Sequence, residues 1–375
     1  MAGVFGKSYT NQILLKKSCR SFYNIRRTFQ IGRNDEMCES RKRVFRPTLM
    51  TGIQPTGFPH IGNYLGAIQQ SVKLQNSESY DKIFFSIVDL HSITVPQNPT
   101  ILRQNIINLA CSLLACGLDK PQTVLFQQSS VPHHTELAWI LGCLATLNKL
   151  DHLPQWKEKS PSKEDVSLGL YSYPVLQAAD VLIYRATDVP VGDDQIKHME
   201  FARHLARQFN KIYSPVFPIP KQITSQHIRI KSLRDPIRKM SKSEKDSRGR
   251  IELFDSPDEI REKLRKAVTD LGTGGMIGYD SQGRPGISNI IDIHAAVEGS
   301  TPDQICSECA HLTTVEYKER AAEAIIEMLK PIRARIVHLR NEPQHVVSVL
   351  SKGNEIAAQN AAKTCAEVKK LIGLS

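Results

Sequence analysis

"VFRPTLMTGIQPTGFPHIGNYLGAI", Val44 to Ile68, decides how the rest of the chain is read. The apolar run Thr48–Ile53 has the length and composition of a buried strand. Ile61, Leu65, Ile68 and Val72 then recur at helical spacing. Between strand and helix lie Gln54, Pro55, Gly57, Pro59 and the tetrad His60-Ile61-Gly62-Asn63. A helix N-terminus offers unpaired N–H groups and a partial positive charge, so it is a ready anion site. His60 and Asn63 project from one side of the first turn, and both can donate hydrogen bonds to phosphate oxygens. Gly52 and Gly57 let the backbone turn tightly, and Gly62 leaves room for a flat or bulky ligand. Taken alone, the tetrad is equally a capped helix with a polar first turn.

Outward from this stretch, strands and helices alternate. Ile83–Val88, Thr123–Gln127 and Asp188–Val191 read as strands. Ile101–Ala115 reads as a helix with Leu102, Ile106, Leu109 and Leu113 on one face and Gly117 as its stop. His134–Leu147, Pro174–Tyr184 and Asp194–Phe209 read as further helices. This alternation predicts an α/β fold with a doubly wound parallel sheet, Rossmann-like, whose ligands sit beyond the carboxyl ends of the strands. After Pro215, Pro218 and Pro220 the texture changes to a basic loop, "RDPIRKMSKSEKDSRGR", and then to helices at Asp258–Ala267, Ile287–Val297, Tyr317–Leu339 and Glu355–Ile372. Pro331 should kink the third of these. The expected organisation is a leader over 1–46, a catalytic unit over 47–233, a smaller all-helical unit over 234–337, and a C-terminal helix over 338–375 returning to the catalytic unit.

The formal net charge of +11 is concentrated at the start. Residues 1–46 hold 11 Lys/Arg against three acids, and no acid precedes Asp35. Such a basic, Ser-containing leader resembles a mitochondrial transit peptide, which implies the matrix; the alternative is a basic arm that touches nucleic acid. The eight cysteines have no disulfide-type rhythm, which suits a reduced compartment. Cys306 and Cys309 form a C-x-x-C with no second pair at suitable spacing, so no protein-held metal is expected. No apolar run approaches about 18 residues, so no membrane span is expected.

Four further constellations could carry chemistry. Lys239-Met240-Ser241-Lys242-Ser243 places paired lysines on a polar loop, where they could clamp a polyphosphate or simply be solvated. In Val189-Pro190-Val191-Gly192-Asp193-Asp194-Gln195, a glycine and a carboxylate open a helix, as an N-cap or as partners of ribose hydroxyls. Asp180 interrupts the apolar run "YSYPVLQAADVLIY"; buried, it must either satisfy the fold or await a ligand's donor. His91 stands at a strand end, where a satisfied structural histidine is the default, and Gln155 and Lys159 open a polar loop.

The H-x-G-N helix start and the K-M-S-K-S loop, in this order, resemble the paired signatures of class I aminoacyl-tRNA synthetases. "TGIQPTG", "VDLHSIT", "QWKEKS", "VPVGDDQ", "KSLRDP", "AVTD" and "PGISNI" extend the resemblance over about residues 47–375, and within the class it is to tryptophanyl-tRNA synthetases of bacterial and mitochondrial type. The resemblance implies two-step charging of tRNA(Trp) with L-tryptophan, using ATP and Mg²⁺, by a homodimer. It implies that Asp180 accepts the indole N–H, with His91, Gln155, Tyr173, Gln177, Val189 and Val191 around the amino acid. It implies that Gln54, His60, Ile61, Gly62, Asn63, Lys159, Gly192, Asp194, Gln195, Ile230, Lys239, Met240, Ser241, Lys242 and Ser243 hold ATP. His60, Asn63, Lys239 and Lys242 would then stabilise charge on the leaving pyrophosphate. Asp193 and Gln177 stand where many bacterial members have Glu and Met. The rival readings are a tyrosyl-tRNA synthetase, a small-molecule adenylyltransferase and a non-enzymatic tRNA-binding module.

Overall fold

The computed structural model describes residues 43–153, 166–224, 229–242, 246–269 and 277–374. The leader to residue 42, together with Gln155, Lys159 and Ser243, lies outside them. A compact unit comprises Phe45–Ser375.

Its centre is a five-stranded sheet in the order β3-β2-β1-β4-β5. The strands are β1 (Thr48–Ile53), β2 (Lys82–Ile87), β3 (Thr123–Gln127), β4 (Asp188–Val191) and β5 (Lys221–Thr224). Every neighbouring pair is parallel, with Thr48 opposite Lys82 and Ile83 opposite Thr123. The chain winds from β1 out to β3, then returns past β1 to β4 and β5. That reversal opens a crevice beyond the carboxyl ends of β1 and β4, where doubly wound sheets bind ligands. Alternate strand residues feed two cores: Phe85, Ile87 and Leu125 join the core on one face, and Phe84, Val124 and Phe126 the core on the other. β5 was not anticipated, because Ile223 is the single apolar residue of its "KQIT" and the strand follows three prolines.

The first helix departs from regular α geometry. Ile61–Asn63 is followed by a π-helical turn, Tyr64–Ile68, and then by Gln69–Asn76. A π-turn inside a helix often marks a functional site. Ile61, Leu65 and Ile68 nevertheless stay buried, as their spacing predicts.

Several helix bounds differ from the sequence reading. The expected His134–Leu147 helix is two pieces, His133–Gly142 and Leu147–Asp151. The expected helix at Pro174 begins earlier, at Leu168, because Ser167 caps it through the Leu170 N–H and Pro174 sits inside. Pro302–Cys309 is an additional helix, closed by a Thr301–Gln304 capping box. Thr314–Asn341 runs on past Pro331.

The last helix begins at Pro343 rather than Glu355 and ends at Ile372. Gly353, inside this helix, is there because the helix lies against β3. A Cβ on Gly353 would stand 1.8 Å from the Leu125 carbonyl oxygen. One residue on, Asn354 Oδ1 accepts the Gln127 backbone N–H at 2.8 Å. These two contacts cover an edge of the sheet that would otherwise be open. Gly353→Ala should therefore destabilise the fold by about 2 kcal/mol or more, since backbone rather than a flexible side chain must move. A urea-denaturation midpoint that drops with an unchanged slope would show it.

The helices Pro257–Arg265, Pro285–Glu298 and Thr314–Asn341 share one continuous core with Ile61 and Leu65 of the first helix. Arg340 adds a tie, its guanidinium 4.9 Å from the Phe254 ring, which stacks on Phe58 of the loop before His60. No helix among the described residues is long and apolar enough to cross a membrane.

Candidate active site

A cavity of about 430 Å³ opens at the crevice, within the range of small-molecule sites. Gln54 directly follows β1, the end of β2 leads to His91, and β4 supplies Val189 and Val191 with Gly192 next after it. Tyr173, Gln177 and Asp180 come from the helix Leu168–Ile183, and Asp194 and Gln195 from the turn after β4. The structure thus gathers these widely separated positions around one space.

Asp180 forms part of the cavity wall with only 4% of its surface exposed. The choice between a structural and a waiting carboxylate does not hold as posed, because Asp180 already has a full set of donors. His91 Nε2 lies 2.8 Å from Oδ2, and His134 Nδ1 lies 2.6 Å from Oδ1. Gln128 Nε2 reaches both oxygens, at 2.8 and 2.9 Å. Burial alone would raise the carboxyl pKa; the hydrogen bonds from His134 and His91 outweigh it and hold the group charged, well below the usual range. His91 is therefore both a satisfied histidine and a cavity residue.

At the rim, Gln177 Nε2 donates to Gln195 Oε1 at 3.1 Å, and Gln195 Nε2 donates to Asp194 Oδ2 at 2.7 Å. Beside Gly192, a notional Cβ would meet Asp194 Oδ1 at 2.8 Å, the tip of an exposed side chain that can move aside. Asp194 Oδ1 also faces Lys239 Nζ across 3.9 Å, both largely exposed, so the contact itself is weak and easily exchanged.

The start of the first helix is occupied more fully than its sequence suggests. The Ile61 N–H donates to the Ile251 carbonyl at 2.8 Å, and the Asn63 N–H to His60 Nδ1 at 3.2 Å. Asn63 Oδ1 accepts the His60 N–H in return, completing a capping box. Among the described residues the Gly62 N–H alone of these amides keeps no partner. What remains for an anion comes from side chains. With Nδ1 accepting, His60 carries its proton on Nε2, and Asn63 keeps its amide N–H groups. Burial first, then Lys242, Arg250 and Lys239, pull the His60 pKa down to about 3, so it is a neutral donor. The space beside Gly62 is filled by the His60 ring, 3.0 Å from a notional Cβ, and by Ile230, rather than left for a ligand. Gly52 lies inside β1, where close contact with Val88 excludes a side chain; Gly57, at φ +111°, is the one that makes the turn.

The lysine loop reaches this same place. Lys242 Nζ donates to the Gly57 carbonyl at 3.3 Å, and burial pulls its pKa down to about 8. Ile230 accepts the Met240 N–H at 3.1 Å, and the Met240 side chain is buried in the core, so it anchors the loop, with Lys239 largely exposed and Lys242 turned in against Gly57.

The family description "tRNA synthetases class I (W and Y)" matches residues 42–330. The chain belongs to the class I tRNA synthetases. Within this family the match is to the tryptophan branch. A mitochondrial tryptophan–tRNA ligase of Caenorhabditis elegans is 44% identical over 334 residues, spanning 87% of this chain and 91% of that one. The mitochondrial enzyme of Schizosaccharomyces pombe is 41% identical over 346 residues, 87% and 95% of the two chains. A tryptophanyl-tRNA synthetase of Campylobacter jejuni, solved with ADP and tryptophan, superposes with a TM-score of 0.74 at 29% identity over 87% of this chain and 100% of its own. This class I synthetase is an enzyme that charges tRNA with tryptophan, and the tyrosyl, adenylyltransferase and non-enzymatic alternatives fall away.

Sequence reasoning missed Gln128, His134 and Tyr184, the residues behind Asp180 in this synthetase. Tyr184 had a signal, since it stands four residues after Asp180 on one helix and shares its face. Gln128 and His134 flank a turn after β3, and only the folded sheet brings them to Asp180.

Proposed function

We propose that this crevice makes tryptophanyl-adenylate and then passes the tryptophanyl group to tRNA(Trp). The carboxylate of L-tryptophan attacks the α-phosphorus of ATP, a P–O bond forms, and pyrophosphate leaves with the electrons of the broken bond. A hydroxyl of the terminal adenosine, the 2′ first, then attacks the activated carbonyl, and AMP leaves. Asp180 accepts the indole N–H; His91, Tyr173, Gln177, Val189 and Val191 enclose the amino acid, with Gln155 assigned from sequence alone. Gln54 stands where the carboxylate meets the α-phosphate. Gly192, Asp194 and Gln195 hold the ribose, and Ile230 packs near adenine.

The phosphates lie between the first helix and the lysine loop. His60 offers Nε2–H, Asn63 its amide, and Lys239 and Lys242 their charge, with Ile61, Gly62, Met240 and Ser241 shaping the backbone and Lys159 and Ser243 assigned from sequence. Catalysis then rests on positioning and on cations that balance the departing pyrophosphate. Mg²⁺ fits as a companion of ATP: no group of three or more His, Cys, Asp or Glu side chains suited to a metal occurs among the described residues, so phosphate oxygens would supply its ligands.

The observation that carries this reading is the convergence of the two halves. Lys242 meets the turn before His60, and Lys239 meets Asp194 at the rim of the cavity that contains Asp180. The helical unit over 234–337 is assigned to tRNA, chiefly the anticodon, and its binding should weaken with salt. Exposed Trp139, Leu147 and Leu168, on neighbouring helices, support a homodimer. The basic leader and the names of the relatives support the mitochondrion, and the matrix within it is assigned from the transit-peptide character of the leader alone.

Exchange of labelled pyrophosphate into ATP, run with each amino acid in turn, tests the reading. Tryptophan alone should support exchange; exchange driven equally by tyrosine or phenylalanine would defeat it.

A further inference from the structure

Asp180 is held from behind as well as faced from the cavity. His91 lines the cavity, whereas Gln128 and His134 are fully buried. His134 Nε2 lies 2.8 Å from the Tyr184 hydroxyl oxygen. A carboxylate only accepts, so His134 Nδ1 carries the hydrogen that meets Oδ1; in the neutral ring Nε2 presents a lone pair, and the Tyr184 O–H donates to it. Tyr184 is itself fixed, stacked on Phe84 with centroids 4.1 Å apart and edge-on to Phe126 at 5.4 Å.

We propose that Tyr184 and His134 are positioning residues for tryptophan selection: the Tyr184 hydroxyl locks His134 in the tautomer whose Nδ1–H holds Asp180 Oδ1, so that Oδ2, shared with cavity-lining His91, is aimed at the substrate's ring N–H. This inference rests on the reading that Asp180 accepts that N–H. Without the Tyr184 hydroxyl, the Nδ1–H tautomer is held by Asp180 alone, and the Nε2–H tautomer becomes less disfavoured. In that form a ring lone pair faces Oδ1, repels it, and lets the carboxylate rotate. The contact to the substrate N–H then loosens while the apolar walls of the pocket stay in place.

Tyr184→Phe removes a single oxygen and keeps the stacked ring, so the fold has reason to survive. The measurement is pyrophosphate exchange with L-tryptophan and with 3-(benzothiophen-3-yl)-L-alanine, which carries sulfur in place of the ring N–H. The KM for tryptophan should rise about tenfold, while those for the sulfur analogue and ATP move less than about twofold. His134→Leu, which removes the Nδ1–H donor, should narrow the discrimination to the same extent. The double variant should lose no more than either single one, because both act through one carboxylate. Equal losses for both amino acids would mark a merely structural role and overturn the proposal, as would unchanged discrimination or strictly additive losses. If the unaltered enzyme itself fails to distinguish the two amino acids, the Asp180 reading falls and this inference with it. If the unaltered enzyme discriminates and Tyr184→Phe discriminates equally well, this inference alone falls.

Discussion

Asp180→Ala should lower kcat/KM for tryptophan in pyrophosphate exchange by about 10³–10⁴-fold and leave ATP binding nearly unchanged. Removing one partner of a buried, hydrogen-bonded charge network costs about 3–5 kcal/mol, because the remaining donors lose their acceptor. Here those donors are His91, His134 and Gln128, all within hydrogen-bonding distance of one carboxylate. A site built around a substrate N–H also draws its selectivity from that contact, by about 10⁴–10⁵ against analogues that lack it. Retention of both tryptophan activation and its selectivity in a folded variant, checked by circular dichroism, would remove Asp180 from the mechanism. The same group predicts acid sensitivity. Burial raises its pKa, the His134 and His91 hydrogen bonds lower it further, and the net shift is downward. A depressed carboxyl pKa adds stability that is present above the unfolded value and is lost as pH falls through the folded one. Asp180→Asn should flatten that part of the stability profile below about pH 4.

Lys242→Met should cut the rate of adenylate formation by about 10²–10³-fold, with the affinity for tryptophan preserved, because its cation matters most as charge builds on the leaving pyrophosphate. Burial, opposed by Glu252 and reinforced by Arg250, sets the Lys242 pKa at about 8 against an ordinary 10.5. A lowered basic pKa disfavours the folded state below about 8, and that penalty is relieved as pH rises toward 10.5; between those values the unfolded chain binds more protons, so stability rises with pH. Polyphosphate beside Lys242 shifts its pKa upward again. ATP binding near pH 8.5 should therefore take up a proton, seen as a calorimetric enthalpy that depends on the buffer's ionisation heat. The uptake should vanish in Lys242→Met. Its persistence there would assign it to another group.

Much of this architecture is written locally. β1 to β4 and the first helix follow from periodicity, since each apolar run faces a core that the sheet creates on both sides. The two phosphate motifs were legible because their residue types and order are unusual in combination. What the sequence hid is whatever depends on partners distant along the chain. His60 reads as a phosphate donor, but the capping box with Asn63 and the bridge to Glu252 spend one side of it on the fold. Gly353 falls ahead of the helix expected from Glu355, and only the approach of Leu125 explains it. Asp180 reads as a lone charge, and its neighbours arrive from the ends of β2 and β3. Local patterns fix elements; the meaning of a polar residue waits on which strands lie side by side.

Because Gly353 and Asn354 seal β3, the border of the sheet is finished by residues synthesised well after all five strands. A nascent chain that already holds all five strands and both phosphate motifs still displays a raw backbone flank, able to pair with any extended peptide nearby. The safeguard against aggregation thus comes after the pocket in the order of synthesis, and a transcript shortened ahead of Pro343 would yield a complete pocket on a sticky scaffold.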